Sequence, residues 1–333
     1  MKEQQIALLL DQYRLNGDWT IVPGESGMNN TTRMIKAGDE RFVLRIYNNH
    51  RDSQIVKLEH EVLAALYKQK PEFQVPVPVV NRHGESISAT ADGALATLCR
   101  FIRGKRPSVS NKAHIVPLGE MAAKLSAALR SITIMQKPQY DPYYLLEETY
   151  RTLIQDELPA LMRSSNRFIE KASKTAAIEE QLNTLSGKLK AVRELPHQWI
   201  HGDLNFSNSV ADGDRIIGVL DFEFCTVDVR AMELVVSLID FFKGEDSQIW
   251  EGLRLFCQGY GRIDKLTAPE VEALPVLIKL RTLDVFLHFA NRRKEGLDDE
   301  ATLAGFIDQT YRICEWVDRS EGQLLELFER ELL

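Results

Sequence analysis

Three polar side chains in one short stretch carry the chemistry that this chain could do: Asp203, Asn208 and Asp221. They lie in WIHGDLNFSNSVADGDRIIGVLDFE, residues 199–223. Asp203 and Asn208 are five positions apart on one polar loop, and Asp221 follows thirteen positions later. Apolar runs flank that loop and a turn at Asp212-Gly213-Asp214, the pattern of short strands joined by tight connections. A hairpin between 208 and 221 would fold Asp221 back towards the loop. One carboxylate to orient a hydroxyl, with an amide and a second carboxylate to hold a divalent cation on phosphates, is the set that phosphoryl transfer needs. Two other readings stay open from the residues alone. Asp and Asn also serve as caps and turn formers. His201 with Asp203 would suit a hydrolytic metal site, although no further His or Cys stands at ligand spacing.

HGDLNFSN at 201–208 followed by LDFE at 220–223 resembles the catalytic loop and metal-binding Asp of the aminoglycoside phosphotransferase/choline kinase family. Homoserine kinases belong to that family, and protein kinases are its relatives. The resemblance implies Asp203 as catalytic base, Asn208 and Asp221 as Mg²⁺ ligands, and ATP as phosphoryl donor. Gly202 stands where protein kinases carry an Arg that pairs with a phosphorylated activation loop. Its identity, with no obvious activation segment after Asp221, points to a small-molecule acceptor.

The elements that must position these groups read as follows. Residues 2–14 place Ile6, Leu9, Leu10 and Tyr13 at helical spacing. Strands follow at 19–23, 31–36 and 42–47, with a turn at Gly38-Asp39-Glu40. The intervening Gly24, Ser26, Gly27 and Asn29 allow the backbone to approach an anion; a plain hairpin would read the same. By resemblance this is the phosphate-covering loop, and Arg45 in VLRIY stands where protein kinases have a phosphate-contacting Lys. An Arg there is a rigid fork and not a point charge. Residues 53–69 form an amphipathic helix in which Glu59 and Glu61 are both candidates to pair with Arg45, and Glu61 is preferred.

Beyond a Pro-rich break at 71–78, a hairpin is expected across Asp92-Gly93. By resemblance, the segment after it crosses between lobes and meets adenine through the backbone of Arg100 and Ile102. Long helical patterns then dominate: 116–129, 144–162, 178–192, 247–260, 268–293 and 299–331. A further helix begins near Asp228 or Arg230, and Glu233 is expected to tie it to the catalytic loop. Glu223 is open between a second-metal role and none. His288, among apolar neighbours, reads as a core histidine.

The 333 residues are 44% hydrophobic and 27% charged with net charge −7, an ordinary globular balance without the basic excess of a nucleic-acid surface. Four dispersed cysteines without a CxxC suggest reduced thiols in a cytoplasmic protein. The interrupted N-terminal apolar run is unlike a signal peptide, and no run approaches membrane-span length. The expected fold class is α+β: a two-lobed protein-kinase-like fold with a small antiparallel-sheet lobe and a larger, mainly helical lobe. The division is expected as a nucleotide-binding lobe over 1–101 and a catalytic, acceptor-binding lobe over 102–333. The implied activity is ATP- and Mg²⁺-dependent phosphorylation of a small-molecule hydroxyl. Homoserine or a related amino alcohol is the first acceptor class, and an aminoglycoside or sugar the second; a nucleotide-binding pseudokinase is the reading from another class. Neither nucleic acid nor a membrane is expected as a partner, and the sequence carries no signal for oligomeric state.

Overall fold

The computed structural model describes residues 3–22, 30–47, 53–90 and 92–333. Contacts gather the chain into two compact units. The first comprises Met1–Pro107, Ser131–Gln139 and Asn208–Cys225; the second comprises Ser108–Arg130, Tyr140–Ser207 and Thr226–Leu333.

The first unit is built on a five-stranded antiparallel sheet. In chain order its strands are β1 (Trp19–Val22), β2 (Asn30–Ala37), β3 (Glu40–Tyr47), β4 (Ser88–Ala89) and β5 (Leu95–Arg100), arranged in space as β1-β2-β3-β5-β4. A tight turn with Gly38 at φ 58° joins β2 to β3. Alternation along β3 decides what each face does. Phe42, Leu44 and Ile46 enter a core with Ile6, Leu9, Leu10 and Tyr13 of the N-terminal segment and with Ile35, Ala96 and Leu98. Val43, Arg45 and Tyr47 therefore point to the opposite face. The helix Ser53–Gln69 has the bounds that its apolar periodicity predicts, and it buries Val56, Leu58, Glu59, Val62, Leu63 and Leu66. The hairpin Ser209–Asp212 with Arg215–Val219 also belongs to this unit. It is joined to the rest through Gln74 beside Gly218 and through paired backbone bonds between Lys105 and Ala211.

The second unit is mainly helical. Ile115–Arg130 crosses Asp246–Gly261 so closely that a Cβ on Gly119 would lie 2.1 Å from the Phe256 carbonyl oxygen. Ala268–Lys294 and Glu300–Leu332 pack along each other. A two-stranded ribbon, His197–Ile200 with Thr226–Val229, introduces the loop that carries Asp203. The second of these strands lies in a segment that the sequence reading ran straight into a helix. The single helix expected over 144–162 is broken into Leu146–Thr149, a wide turn at Leu153–Glu157 and Leu158–Leu161. Pro159, with no N–H to continue the regular ladder, accounts for the wide turn before it and not for the interruption at Tyr150. Among the described residues no helix is long and apolar enough to cross a membrane.

Candidate functional site

In the first unit, Arg45 lies at the centre of three carboxylates. Its Nη1 donates to Glu59 Oε1 at 3.0 Å, and its Nη2 lies 2.6 Å from Asp221 Oδ1 and 2.8 Å from Glu223 Oε2. Tyr47, two residues on along the same face of β3, donates its hydroxyl to Glu59 Oε2 at 2.8 Å. Asn30 Nδ2 donates to Glu223 Oε2 at 3.1 Å. Burial works against charge on Arg45, but Glu59 and Asp221 outweigh it and hold the guanidinium protonated well beyond its ordinary range. Burial also raises the carboxyls of Glu59 and Glu223, and Arg45 offsets this only in part.

Glu59, and not Glu61, is the partner of Arg45. Positions 56, 59, 63 and 66 repeat at three- and four-residue intervals, so Glu59 sits on the helix's buried stripe. Glu61 is two residues away, about 200° around the helix axis. It instead accepts backbone N–H bonds from Met135 at 2.6 Å and Gln136 at 3.3 Å.

The hairpin returns the chain as its spacing suggests. The Leu220 N–H donates to the Asn208 carbonyl at 2.8 Å, so Asn208 and Asp221 flank one closing rung. Asp221 takes a left-handed backbone, φ 64° and ψ 66°, sparsely populated by non-glycine residues. It is the most exposed carboxylate of the cluster at 33%, against 4% for Glu59 and 0% for Glu223. One guanidinium against three carboxylates leaves the ionised cluster two formal charges short of neutrality, and Asp221 is where a divalent cation would meet it. Among the described residues no group of three or more His, Cys, Asp or Glu is arranged to hold a metal by itself.

Gly24, Ser26, Gly27 and Asn29 lie outside the described residues. The Arg100 N–H is already given to the Val77 carbonyl at 3.0 Å, and the Phe101 N–H to Arg41 at 3.0 Å. Among the described residues, Ile102 is the first past β5 whose backbone makes no such bond. The Arg100 N–H is thus engaged within this unit; the expectation named the backbone of Arg100 and Ile102 and did not single out that N–H.

In the second unit, Asp203 sits on a loop held by its own backbone. Glu233, fully buried, accepts the N–H groups of His201 at 2.5 Å and Gly202 at 3.4 Å. Burial raises this carboxyl to about 7, and the two N–H bonds pull it back only in part. His201, also fully buried, accepts the Asp203 N–H on Nδ1 at 3.1 Å, so its ring proton sits on Nε2. Gly202 has φ 77°, a left-handed conformation that a Cβ would strain. Its carbonyl accepts the Tyr143 hydroxyl at 2.9 Å. Asp228 is no helix cap. It accepts the N–H groups of Tyr143 and Val229, both at 2.6 Å, and burial raises its carboxyl to about 7.

The sequence reading missed Arg281. Its Nη2 lies 3.3 Å from Asp203 Oδ1 and its Nη1 3.2 Å from Asp284 Oδ2. The available signal was an Arg and an Asp three residues apart in a mostly apolar helical stretch, which puts both on one face. His288 is exposed, with its ring edge-on to Phe289 at 5.3 Å, and not the core histidine its neighbours suggested.

Comparison with known proteins bears on the family and the fold. A model of the phosphotransferase enzyme family matches residues 20–266. The chain is 25% identical to a homoserine kinase of Bradyrhizobium diazoefficiens over 283 residues, covering 83% of this chain and 80% of the relative. It is 24% identical to the homoserine kinase of Zymomonas mobilis over 285 residues, covering 84% and 83%. Among solved structures, a microcompartment-associated aminopropanol kinase superposes with a TM-score of 0.72 at 17% identity, covering 98% of this chain and 100% of that one. A spectinomycin phosphotransferase solved with ADP and spectinomycin gives a TM-score of 0.61 at 12% identity, with 96% and 99% covered. The fold is thus that of the kinase-like phosphotransferases, and the chain, a small-molecule kinase, belongs to the phosphotransferase enzyme family.

Proposed function

We propose that this kinase transfers the γ-phosphoryl group of ATP to the hydroxyl of homoserine or a related amino alcohol. The homoserine kinases named above support the acceptor class, as does the aminopropanol kinase to which the fold is similar. The observation that carries the assignment of roles is the separation of two charge sets. A carboxylate-rich cluster surrounds Arg45, and a single carboxylate, Asp203, stands on a rigid loop beside Arg281.

In this reading Asp203 accepts the acceptor's hydroxyl proton. A bond forms between that oxygen and the γ-phosphorus, and the bond to the β–γ bridging oxygen breaks as ADP leaves. Asn208 and Asp221 hold Mg²⁺, which when bound neutralises charge on the phosphate oxygens. Arg45 neutralises phosphate charge, and Glu59 and Glu223 keep it extended from β3. Gly24, Ser26, Gly27 and Asn29 cover the phosphates, and the backbone of Arg100 and Ile102 meets adenine. The division into a nucleotide-binding 1–101 and a catalytic 102–333 belongs to the same proposal, as does a cytoplasmic location. Rate enhancement then comes from positioning and electrostatics, without covalent catalysis.

The test is ADP release over a panel of amino alcohols, hydroxy amino acids, sugars and aminoglycosides. The expected result is turnover on the first two groups, with Asp203→Asn slower by about 10²–10⁴-fold. Nucleotide binding without turnover on any acceptor would instead identify a pseudokinase.

A further inference from the structure

Arg281 pairs with the proposed base, and the proton transfer to Asp203 leaves that cation unexplained. Its side chain is 16% exposed and that of Asp284 is 18%, so the pair is mostly buried but not sealed from solvent. Both of its ion pairs are long, 3.3 Å to Asp203 and 3.2 Å to Asp284. A charge-assisted pair of this kind closes to about 2.7–2.9 Å when it is optimal. Among the described residues, two of the five guanidinium donors are engaged, one on each terminal nitrogen. The fork is nonetheless fixed in place. Its Cζ lies 5.2 Å from the centroid of the Tyr143 ring. Tyr143 is itself anchored at its backbone by Asp228 and at its hydroxyl by Gly202. Burial works against charge on Arg281, but Tyr143, Asp284 and Asp203 hold it protonated. Asp284 has Tyr150 as a second partner.

We infer that Arg281 and Asp284 form an acceptor subsite for an α-amino acid bearing a side-chain hydroxyl. This rests on the phosphotransfer reading above and narrows its acceptor class. Arg281 receives the α-carboxylate and Asp284 the α-ammonium. A zwitterion laid head-to-tail on an existing ion pair turns one charge contact into a closed ring of alternating signs. Singly charged acceptors lack that balance. An amino alcohol without a carboxylate leaves the spare guanidinium donors unmet and brings its ammonium towards Arg281. A hydroxy acid without an ammonium brings its carboxylate towards Asp284. The placement beside Asp203 orders the parts: charged groups on the helix Ala268–Lys294, the hydroxyl towards the base.

Three probes separate the possibilities: L-homoserine, 3-aminopropan-1-ol (the same skeleton without the carboxylate) and 4-hydroxybutanoate (the same skeleton without the amine). With the wild-type protein, kcat/KM for L-homoserine is expected to exceed both others by at least about 10²-fold, since sites with buried polar groups reject analogues that leave them unpaired. Arg281→Lys should cut the preference over 3-aminopropan-1-ol at least about tenfold, mainly through KM, because one point charge replaces a bidentate fork. Asp284→Asn should reduce the preference over 4-hydroxybutanoate and spare the other. Equal use of L-homoserine and 3-aminopropan-1-ol by the wild type overturns the subsite while leaving the kinase reading intact. So does an equal fall on all three acceptors in both variants. No turnover of any of the three, with turnover of sugars or aminoglycosides, overturns the acceptor class as well.

Discussion

The Arg45 cluster gathers one guanidinium and three carboxylates from three separate segments. The Asp203 loop carries one carboxylate and is held chiefly through backbone groups of 201–203. The first is rich in negative charge, and two of its acids, Glu59 and Glu223, are almost fully buried. Its order depends on a single cation. The second depends on conformation, through a left-handed glycine, a fully buried histidine and a buried glutamate that collects two N–H groups. Under the proposed roles, the difference teaches that charge excess suits a place where cations and phosphates come and go, whereas a base needs a fixed direction more than a strong field.

Removing the cation from the first cluster should have the largest effect on stability. Arg45→Met leaves buried carboxylates unpaired and should cost about 3–5 kcal/mol in chemical denaturation at pH 8. The loss should shrink at pH 5. Burial already raises Glu59 and Glu223, and without Arg45 they stay protonated in the folded chain to still higher pH. The folded state then binds more protons than the unfolded one, so stability falls as pH rises. A loss below about 1 kcal/mol at both pH values would mean that the cluster does not depend on its cation.

The same sign applies on the loop side, with a smaller size. Glu233 is raised to about 7 from an ordinary 4.5, so stability should decline between these two values as its folded carboxyl is forced to ionise. The full shift corresponds to an effect on the order of 3 kcal/mol. Glu233→Gln keeps an acceptor for the two N–H groups and should flatten the decline. Asp228, also raised to about 7, should leave a parallel slope behind. An unchanged profile in the variant would remove Glu233 from the account.

The smallest of these effects concerns backbone geometry. Gly202→Ala must hold φ 77° with a Cβ and should cost about 1–2 kcal/mol, with a fall in kcat because Asp203 is the next residue. Gly187→Ala is the contrast. That glycine lies inside a helix with open space around it, and alanine there should stabilise by up to about 1 kcal/mol. Equal effects at the two sites would break the claim that the loop is set by conformation.

What the sequence showed follows this division. The Asp203 loop is local, so its motif, its hairpin and Asp221 were legible from spacing within 25 residues. The helix Ser53–Gln69 was legible because its apolar stripe has one period. Its polar member was readable too: Glu59 falls on that stripe, although motif position favoured Glu61. Arg281 was not legible as a neighbour of Asp203, since 78 residues separate them and only tertiary packing joins them. The strand Thr226–Val229 was hidden because its partner strand precedes the loop. The widened turn before Pro159 was hidden because apolar spacing continues through it while the hydrogen-bond ladder shifts to five-residue steps.

The central claim, that binding and proton transfer reside in different charge sets, is tested most directly by calorimetric titration of Mg²⁺ and AMP-PNP into Asp203→Asn and Asp221→Asn. Asp203→Asn should bind the nucleotide as the wild type does while turnover falls by about 10²–10⁴-fold, and Asp221→Asn should lose the Mg²⁺-dependent part of binding. Loss of nucleotide binding in Asp203→Asn equal to that in Asp221→Asn, or turnover that survives Asp203→Asn, would contradict it.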